Sequence, residues 1–571
     1  MMERRVFTAI VLSFLVLFFY QTYISPPPPP PKTTTAATTT SPAATAPGAQ
    51  GTSNASAPVA AAPVTAPPSA PAAQTLVGES SDRTIVVDTQ TVQAIFTNRG
   101  GRLLHWRLKN YFDTSRRPVD LVPADLPGVE QLPFSLRADG VDAVRLNNAV
   151  YRVTGDSGGH VDATRGNATL TFEFQDASGL HVRKQFDFTP TNYIVKFSAA
   201  LMNGGRTINP NVVWGPSLGD IAPTASQPGF FNRSAQLPPE VILHRSGKVE
   251  RIAINNVPTQ PVQEAIFRFV GVDTHYFMMA VVNPGLVRAE YRYLVVPGSG
   301  GARRQLISSA FKFGGGANNE RYFIGPKQFD LLASIDNELV RAINFGIFGF
   351  IVVPLLSALK WVHGMIGNWG WSIVALTVLI NIIVFPLRHR SLVSMRKMQA
   401  LQPQLKAIQD RYANLKVTDP ARQKMNTEVM NLYREKGVNP ASGCLPMMLQ
   451  MPVLYAFYAL LGYAIELRDA PFIFWIHDLS APDPFFVIPI LVSVTMFLQQ
   501  RQMPTTADPQ QQQIMMFMPI MFGFMFLTLA SGTALYWLVS NVWTIGQQAV
   551  TNRIIGPPPV PRPAAERKLK R

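Results

Sequence analysis

Uncharged polar side chains interrupt the apolar segments in the last third of the sequence, and the chemistry open to them is hydrogen bonding. They are Thr377, Asn381, Gln450, Ser493, Thr495, Gln499, Gln500, Thr528, Ser540, Asn541 and Thr544. A proton or ion pathway through a membrane usually contains Asp, Glu, Lys or His within the spans, and no such buried charge accompanies these residues in the sequence. We therefore expect a polar region within a membrane protein rather than an ion pathway.

One membrane-length stretch, Asn439 to Leu467 (NPASGCLPMMLQMPVLYAFYALLGYAIEL), carries Pro446, Gln450 and Pro452. A span needs about 20 apolar residues, and a proline inside a helix leaves a carbonyl without its usual partner. In lipid that carbonyl must be satisfied by protein or water, so this helix is expected to face a bundle interior or a wet cavity. The alternative is that the proline and glutamine side chains simply pack between helices.

Methionines surround these polar groups: Met447, Met448, Met451, Met496, Met515, Met516, Met518, Met521 and Met525. Methionine is adaptable, and Met-rich surfaces bind many different apolar partners. A methionine stripe alone is more often part of a protein core. Because these methionines lie beside a polar helix that contains prolines, a binding surface is favoured here.

Bulk composition indicates soluble and membrane parts in one chain. The 571 residues exceed one ordinary domain, and the mean hydropathy is +0.10. The net charge of +16 is typical of proteins that face anionic lipid or nucleic acid. Cys444 is the single cysteine, so an exported domain has no internal disulfide to stabilise it.

The N-terminal half divides into an anchor, a linker and a β domain. Residues 1–25 predict an uncleaved signal-anchor span whose Arg4 and Arg5 stay inside, and the Pro/Ala/Thr composition of 26–80 predicts a disordered linker. Residues 81–335 show short alternating runs that predict an antiparallel sandwich. The runs are Ile85–Val87, Val92–Phe96, Leu103–Leu108, Leu170–Phe174, Tyr193–Phe197, Ala265–Val270, Tyr276–Val282 and Tyr291–Val296.

An esterase motif within this domain is weak. Gly215-Pro216-Ser217-Leu218-Gly219 matches a nucleophile elbow on paper, but that motif needs a helix after it, and the breaker-rich sequence IAPTASQPGFFN follows instead. The histidines show no metal-ligand spacing and there is no phosphate loop. We expect no enzymatic chemistry and no cofactor.

The distribution of Lys and Arg fixes the predicted topology. The loop from Arg388 to Lys436 is strongly basic and belongs in the cytoplasm. A crossing by Ala342 to Leu359 would put that loop outside, so we predict that residues 336–366 form an interfacial amphipathic helix. Residues 367–552 then form a five-span core, and the basic tail 553–571 is cytoplasmic. The spans are Trp369–Leu387, Asn439–Leu467, Phe485–Leu498, Ile514–Leu529 and Ala534–Thr551, which with the anchor make six.

The basic loop, residues 388–438, predicts a cytoplasmic helical hairpin. Apolar residues from Met398 to Leu415 repeat at alternating steps of three and four; Asp419 and Pro420 start a second helix, and Gly437 ends it. The hairpin is either a solvated connector or a docking arm for an acidic partner such as the ribosome or a targeting factor. The docking residues would be Arg388, Arg396, Lys397, Lys406, Arg411, Arg422, Lys424 and Arg434.

Several strings in one order carry a family resemblance: NPASGCLPMMLQMP, ELRDAPFIFWIHDLSAPDP, MPTTADPQQQQIMMFMP and ALYWLVSN. They resemble the YidC/Oxa/Alb membrane protein insertase family, and the order of segments is similar to its Gram-negative YidC type. The resemblance implies a polytopic α-helical membrane protein of the bacterial inner membrane. It would have a five-helix insertase core, a large periplasmic all-β sandwich domain and both termini in the cytoplasm.

The resemblance also implies a hydrophilic groove, open to the cytoplasm and to lipid, that receives the polar flank of a nascent membrane-protein segment. The groove residues would be Thr377, Asn381, Gln450, Met451, Pro452, Val492, Met525, Tyr536, Trp537 and Thr544. Most members carry an intramembrane arginine five residues before the proline of the second span, where this chain has Asn381 before Pro386. Asn381 can hydrogen-bond a client segment, but it carries no fixed positive charge.

The implied function is insertion and folding of nascent inner-membrane proteins, alone or with the Sec translocon. The implied partners are client segments, Sec components, the ribosome and signal recognition pathway, and the phospholipid bilayer, with no small-molecule substrate. Two alternatives stay open. A small-solute transporter or channel is expected to show inverted repeats and ionisable residues in its spans, and a membrane-anchored periplasmic carbohydrate-binding domain would leave five spans without a role.

Overall fold

The computed structural model describes residues 74–113, 115–123, 131–219, 238–297, 303–412, 421–437, 445–502 and 509–555. All of them belong to one compact unit, Pro71–Arg571. The predicted anchor, most of the predicted linker and the tail beyond residue 555 lie outside the described residues.

An all-β domain occupies the first half of the described chain, and side chains along its strands alternate between buried and more exposed positions, as in Val92–Thr97. The strands are β1 (Thr75–Val77), β2 (Thr84–Asp88), β3 (Val92–Thr97), β4 (Arg102–Phe112), β5 (Pro118–Asp120), β6 (Ser135–Arg137), β7 (Arg152–Thr154), β8 (His160–Asp162), β9 (Ala168–Asp176), β10 (Leu180–Phe188), β11 (Ile194–Asn203), β12 (Arg206–Ile208), β13 (Asn211–Trp214), β14 (Glu240–Arg245), β15 (Lys248–Ala253), β16 (Val262–Asp273), β17 (Phe277–Pro297), β18 (Arg303–Phe313) and β19 (Glu320–Pro326).

These strands form two sheets that share an aromatic core. The larger, 14-stranded sheet has the main order β1-β9-β10-β11-β19-β17-β16-β14-β15, and the smaller has the order β5-β4-β3-β2-β8. Phe96 of the smaller sheet packs on Phe186 of the larger with ring centroids 4.8 Å apart, and both rings are fully buried. The predicted sandwich is therefore observed, with one parallel pairing, β2 with β8.

Two predicted boundaries in this domain differ from the structure. The runs Tyr276–Val282 and Tyr291–Val296, predicted as separate strands, are parts of the single strand β17. The intervening Asn283 and Gly285 have positive φ and lie where the register with β16 shifts, so the residues that resemble a turn form a bulge instead. In addition, β1 pairs with β9, so the ordered domain starts at Thr75, inside the predicted linker.

Ten α-helices lie in the described part of the chain. The short helices α1 (Ala143–Asn148) and α2 (Phe329–Ile335) belong to the first half. The others are α3 (Gly349–Ile366), α4 (Trp369–Ala400), α5 (Gln402–Arg411), α6 (Ala421–Glu435), α7 (Leu445–Tyr463), α8 (Val487–Gln502), α9 (Pro509–Phe526) and α10 (Ser531–Ile555).

Among the described residues, two helices are long and apolar enough to cross a membrane, Gly349–Ile366 and Trp369–Ala400. Pro452–Tyr463 and Met516–Phe526 are shorter apolar stretches. The predicted count of six spans is therefore not confirmed: α8 has only 16 residues, and the amides and hydroxyls of α10 lower its hydropathy. The interfacial placement of α3 stays a prediction.

Two predicted details of the helical region are wrong. The sequence places Pro446 well inside its span, but α7 begins at Leu445, so this proline lies in the first turn, where a missing N–H costs nothing. The apolar repeat from Met398 predicts one continuous helix, but α4 ends at Ala400 and α5 begins at Gln402, with a proline at its start. The span and the first part of the hairpin thus share α4.

The C-terminal end of α7 contacts the β domain directly. Nε2 of His275, in the β16–β17 turn, lies 2.7 Å from the carbonyl oxygen of Gly462, and its ring stacks on Tyr463. The guanidinium of Arg468 lies 5.0 Å from the ring centroid of Phe277. These contacts fix the end of the proline-containing helix against the sandwich.

Candidate functional site

The predicted groove residues on α4 are buried and hydrogen-bond within their own helix. Thr377 is fully buried, and its hydroxyl donates to the carbonyl of Ile373 at 2.6 Å. Asn381 is 4% exposed, and its Nδ2 donates to the carbonyl of Thr377 at 2.8 Å. Because these two residues are one turn apart, they lie on the same face of the helix. The Asn381 side-chain oxygen remains available as an acceptor.

Arg388 donates a hydrogen bond to that side-chain oxygen. Its Nη1 donates to Oδ1 of Asn381 at 2.9 Å and to the hydroxyl of Thr544 on α10 at 3.1 Å. Two predicted groove residues on different helices are therefore joined by a residue that the sequence places in the docking set. The seven-residue spacing between Asn381 and Arg388 places both on one helix face, and that spacing was the signal available in the sequence.

Further polar contacts line the surfaces between α10 and its neighbours. Nδ2 of Asn541 donates to the hydroxyl of Thr495 on α8 at 3.1 Å. Nε2 of Gln547 donates to the carbonyl of Phe385 at 3.3 Å, and Nε2 of Gln548 to the carbonyl of Gln502 at 3.0 Å. Sequence reasoning missed both glutamines, because they lie near the end of the predicted span.

Several polar atoms here are buried without a hydrogen-bond partner among the described residues. They are Oε1 of Gln399, Gln502, Gln547 and Gln548, Nε1 of Trp543 and Oδ1 of Asn552. All belong to α4, α8 or α10, towards the end of the bundle from which the hairpin projects. An unpaired buried polar atom costs about 1–3 kcal/mol, so a cluster of them indicates a region suited to water or to a polar ligand.

The other predicted groove residues that the structure describes pack mainly against apolar and aromatic side chains. Tyr536 stacks on Phe457 of α7 with ring centroids 4.3 Å apart, and Trp537 lies 5.1 Å from Phe526 of α9. Val492 is fully buried, Met525 packs against the core, and Pro452 is half-exposed. Gln450 and Met451 lie on α7, but their side chains are outside the described part of the structure.

The predicted docking cations separate into two groups. The exposed ones are Lys397, Lys406, Arg411, Lys424 and Arg434, and Arg411 joins α5 to α6 through Glu428 at 3.0 Å. Arg396 is only 6% exposed and Arg388 is half-buried, so neither presents its charge at the hairpin surface. The side chain of Arg422 and the predicted cap at Asp419 and Pro420 lie outside the described residues.

The esterase and metal alternatives find no support in the described chain. Ser217 is 1% exposed, and no helix follows it as far as Gly219. The described residues contain no group of three or more His, Cys, Asp or Glu side chains placed to hold a metal ion.

Comparisons with known proteins identify the family. Residues 361–557 match the family described as 60Kd inner membrane protein, and residues 84–358 match the YidC periplasmic domain. The membrane protein insertase YidC of Oleidesulfovibrio alaskensis is 35% identical, covering 84% of this chain and 88% of that protein. The chain belongs to the YidC family of membrane protein insertases. It is accordingly an inner-membrane protein with a periplasmic domain, and not an enzyme.

Another relative shows that the likeness extends over almost the whole chain. The membrane protein insertase YidC of Geobacter metallireducens is 33% identical, covering 97% of this chain and 99% of that protein. A solved structure described as an active YidC insertase with the first transmembrane domain resolved is 19% identical, with a TM-score of 0.34, and covers 84% of this chain and 95% of that one.

Proposed function

We propose that the polar region between α4, α7, α8 and α10 is a groove through which the protein inserts nascent membrane-protein segments into the bilayer. The polar flank of a client rests in the groove while its apolar part moves into lipid. The groove opens to the cytoplasm and to lipid and is closed towards the periplasm. Both termini are cytoplasmic, and six spans cross the inner membrane.

One observation carries this proposal: the cluster of buried polar atoms without partners near the hairpin end of the bundle. A bundle that served only as an anchor would gain stability by replacing these amides with apolar side chains, since buried unpaired groups are costly. A groove that admits water and a polar peptide satisfies them. The cluster lies at the end that the basic hairpin assigns to the cytoplasm.

The energetics require no fuel. Apolar residues at a helix centre favour the membrane by about 0.3–0.6 kcal/mol each, so a 20-residue segment gains roughly 6–12 kcal/mol. Each Asp, Lys or Arg in the flank opposes entry by about 2.5–3.5 kcal/mol. Hydrogen-bonding groups partway across the bilayer lower that barrier, and the favourable transfer of the apolar segment then drives insertion.

The exposed cations of the hairpin suit the ribosome or a targeting factor as a partner, because nucleic acid and acidic surfaces bind Lys and Arg through charge. The Sec translocon is a further proposed partner for clients with large exported domains. The docking surface consists of Lys397, Lys406, Arg411, Lys424 and Arg434.

The groove is tested by replacing Asn381 and Gln450 together with Leu. We expect slower insertion of a single-span client into proteoliposomes, without unfolding of the helical bundle. Ser357→Leu is the matched control, because Ser357 is exposed on α3 and hydrogen-bonds only to its own helix, at Val353. Unchanged insertion by the double variant would contradict the groove, and photo-crosslinking from Met451 during translation would test client contact directly.

A further inference from the structure

An apolar cleft lies between α8 and α9 on the outside of the helical bundle. We call it the α8–α9 cleft, and its lining residues are Ser493, Val494, Phe497, Leu498, Pro519 and Ile520. Four of their side chains are 38–56% exposed, those of Val494, Phe497, Leu498 and Ile520. In the membrane such outward-facing apolar side chains meet lipid. None of the lining residues belongs to the predicted insertion groove.

Close contact between the two helices closes one end of the cleft. A Cβ added to Gly523 of α9 would lie 2.2 Å from Oγ of Ser493 on α8, so the helices touch at this point. Ser493 is the one polar residue in the lining, and its hydroxyl donates to the carbonyl of Pro489 in its own helix at 3.0 Å. The lining therefore suits hydrocarbon and not the polar flank of a client.

The α8–α9 cleft is also too small for a client helix. Its volume is about 230 Å³. An α-helix is about 10–12 Å wide and rises about 5.4 Å per turn, so each turn occupies roughly 400–600 Å³. A span of about 20 residues has roughly five turns. An extended acyl chain, which carries no side chains, is the membrane component that fits.

A cation lies beside the other end of the cleft. The guanidinium carbon of Arg501 is 5.2 Å from the ring centroid of Phe497, one helical turn earlier on the same face. Arg501 is exposed, and no carboxylate of the described residues forms an ion pair with it. Its planar guanidinium matches the geometry of a phosphate, and basic pockets between helices on the cytoplasmic side bind anionic headgroups. Arg501 ends α8 at the same end of the bundle from which the hairpin projects.

We propose that the α8–α9 cleft binds one anionic phospholipid, with an acyl chain between the two helices and the headgroup phosphate at Arg501. The stacking of Arg501 on Phe497 holds the guanidinium over the cleft, so charge and apolar lining recognise the two parts of one molecule. The site is separate from the insertion groove and does not depend on the insertion function.

The test uses the full chain in phosphatidylethanolamine vesicles that contain a minor fraction of a photoactivatable lipid, with the reactive group in its acyl chain. One probe has a phosphatidylglycerol headgroup and the other a phosphatidylcholine headgroup. Both should label peptides of α8 and α9 more than the rest of the bundle. The phosphatidylglycerol probe should label them about fivefold more than the phosphatidylcholine probe, as expected for one basic residue at an anionic headgroup.

Two variants separate the headgroup from the acyl chain. Arg501→Gln should abolish the preference for phosphatidylglycerol while labelling of α8 and α9 continues, and Arg501→Lys should retain the preference. Val494→Trp fills the cleft and should lower labelling by both probes to the level found elsewhere on the bundle.

Each variant has a matched control. Arg553→Gln removes an exposed cation near the end of α10, at the same end of the bundle, and should leave the preference unchanged. Ile490→Trp adds the same ring to α8 at a position that is 58% exposed and outside the cleft lining, so labelling should persist. Unchanged thermal unfolding of each variant shows that folding is intact.

Even labelling of the whole bundle in the unmodified protein would mean ordinary bilayer lipid and would overturn the proposal. An unchanged phosphatidylglycerol preference in Arg501→Gln would overturn the headgroup assignment. Crosslinking of a client span from Leu498 and Ile520, with loss of lipid labelling there, would assign the cleft to clients instead.

Discussion

Acidification should weaken the contact between the β domain and the helical bundle, through His275. The imidazole is 9% exposed; Nε2 lies 2.7 Å from the Gly462 carbonyl, and Nδ1 is buried without a partner among the described residues. Burial lowers the pKa of His275 from 6.5 to about 4. The positive charges of Lys327 and Arg468 contribute to this decrease, and the hydrogen bond to the Gly462 carbonyl opposes it. Protonation would place a second N–H on the unpartnered side of the ring.

The size of the effect follows from linkage. If the domains separate, the ring meets water and its pKa returns to about 6.5, so the docked state binds fewer protons. His275 therefore contributes fully to docking above pH 6.5 and loses this contribution as the pH falls from 6.5 to 4. The total is about 3 kcal/mol, of which about 2 kcal/mol is lost at pH 5, a thirtyfold change in the docking equilibrium. Arg468 over Phe277 and the contact of Lys360 with Asp330 at 2.8 Å remain, so separation should be partial.

The measurement is a distance distribution between spin labels at the exposed positions Arg165 and Phe474, with Cys444 replaced by Ser. We expect a second, longer distance to gain population between pH 7 and pH 5. His275→Gln is the control, because its amide can donate to Gly462 but does not titrate in this range. The reasoning is refuted if the glutamine variant shows the same acid-induced distance, or if the histidine protein shows none.

Three further outcomes are expected. Asp483→Ala should destabilise the connection between α7 and α8 by about 3 kcal/mol, because the carboxylate accepts hydrogen bonds from Trp475, Phe485 and Ile488. The loss should be measured as faster amide hydrogen exchange in that connection. Asp483→Asn should destabilise it less. Gly370→Ala should lower the thermal stability by about 1–3 kcal/mol, since a Cβ would lie 2.0 Å from the ring of Phe472, whereas Gly364→Ala, which meets open space, should not. Replacing Lys397, Lys406 and Lys424 with Gln should weaken ribosome binding and reduce its salt dependence. Cosedimentation at several salt concentrations measures both. A loss of binding that does not depend on salt would favour the alternative that the hairpin is only a solvated connector.

Local patterns identified most elements because strands and helices have different periods. Alternation located β2, β3 and β9 within two residues of their observed ends, and the apolar run from Trp369 located the start of α4. The errors occurred where one residue type serves two purposes. Asn283 and Gly285 suit a turn and a bulge equally well, since both structures need positive φ. Only the pairing of β17 with β16 on both sides of these residues shows that the strand continues.

The family, the separation of a β domain from a helical core and the presence of uncharged polar residues in apolar helices could all be predicted from the amino-acid sequence, because they depend on composition and order along the chain. Which of those polar residues meet depends on how the helices pack. Arg388 and Thr544 are 156 positions apart, and no periodicity within a single helix relates them; packing of α4 against α10 brings them together. Arg396 is buried, whereas Lys397, its neighbour, is exposed. Charge could therefore be counted from the sequence, but its availability to a partner depended on the fold.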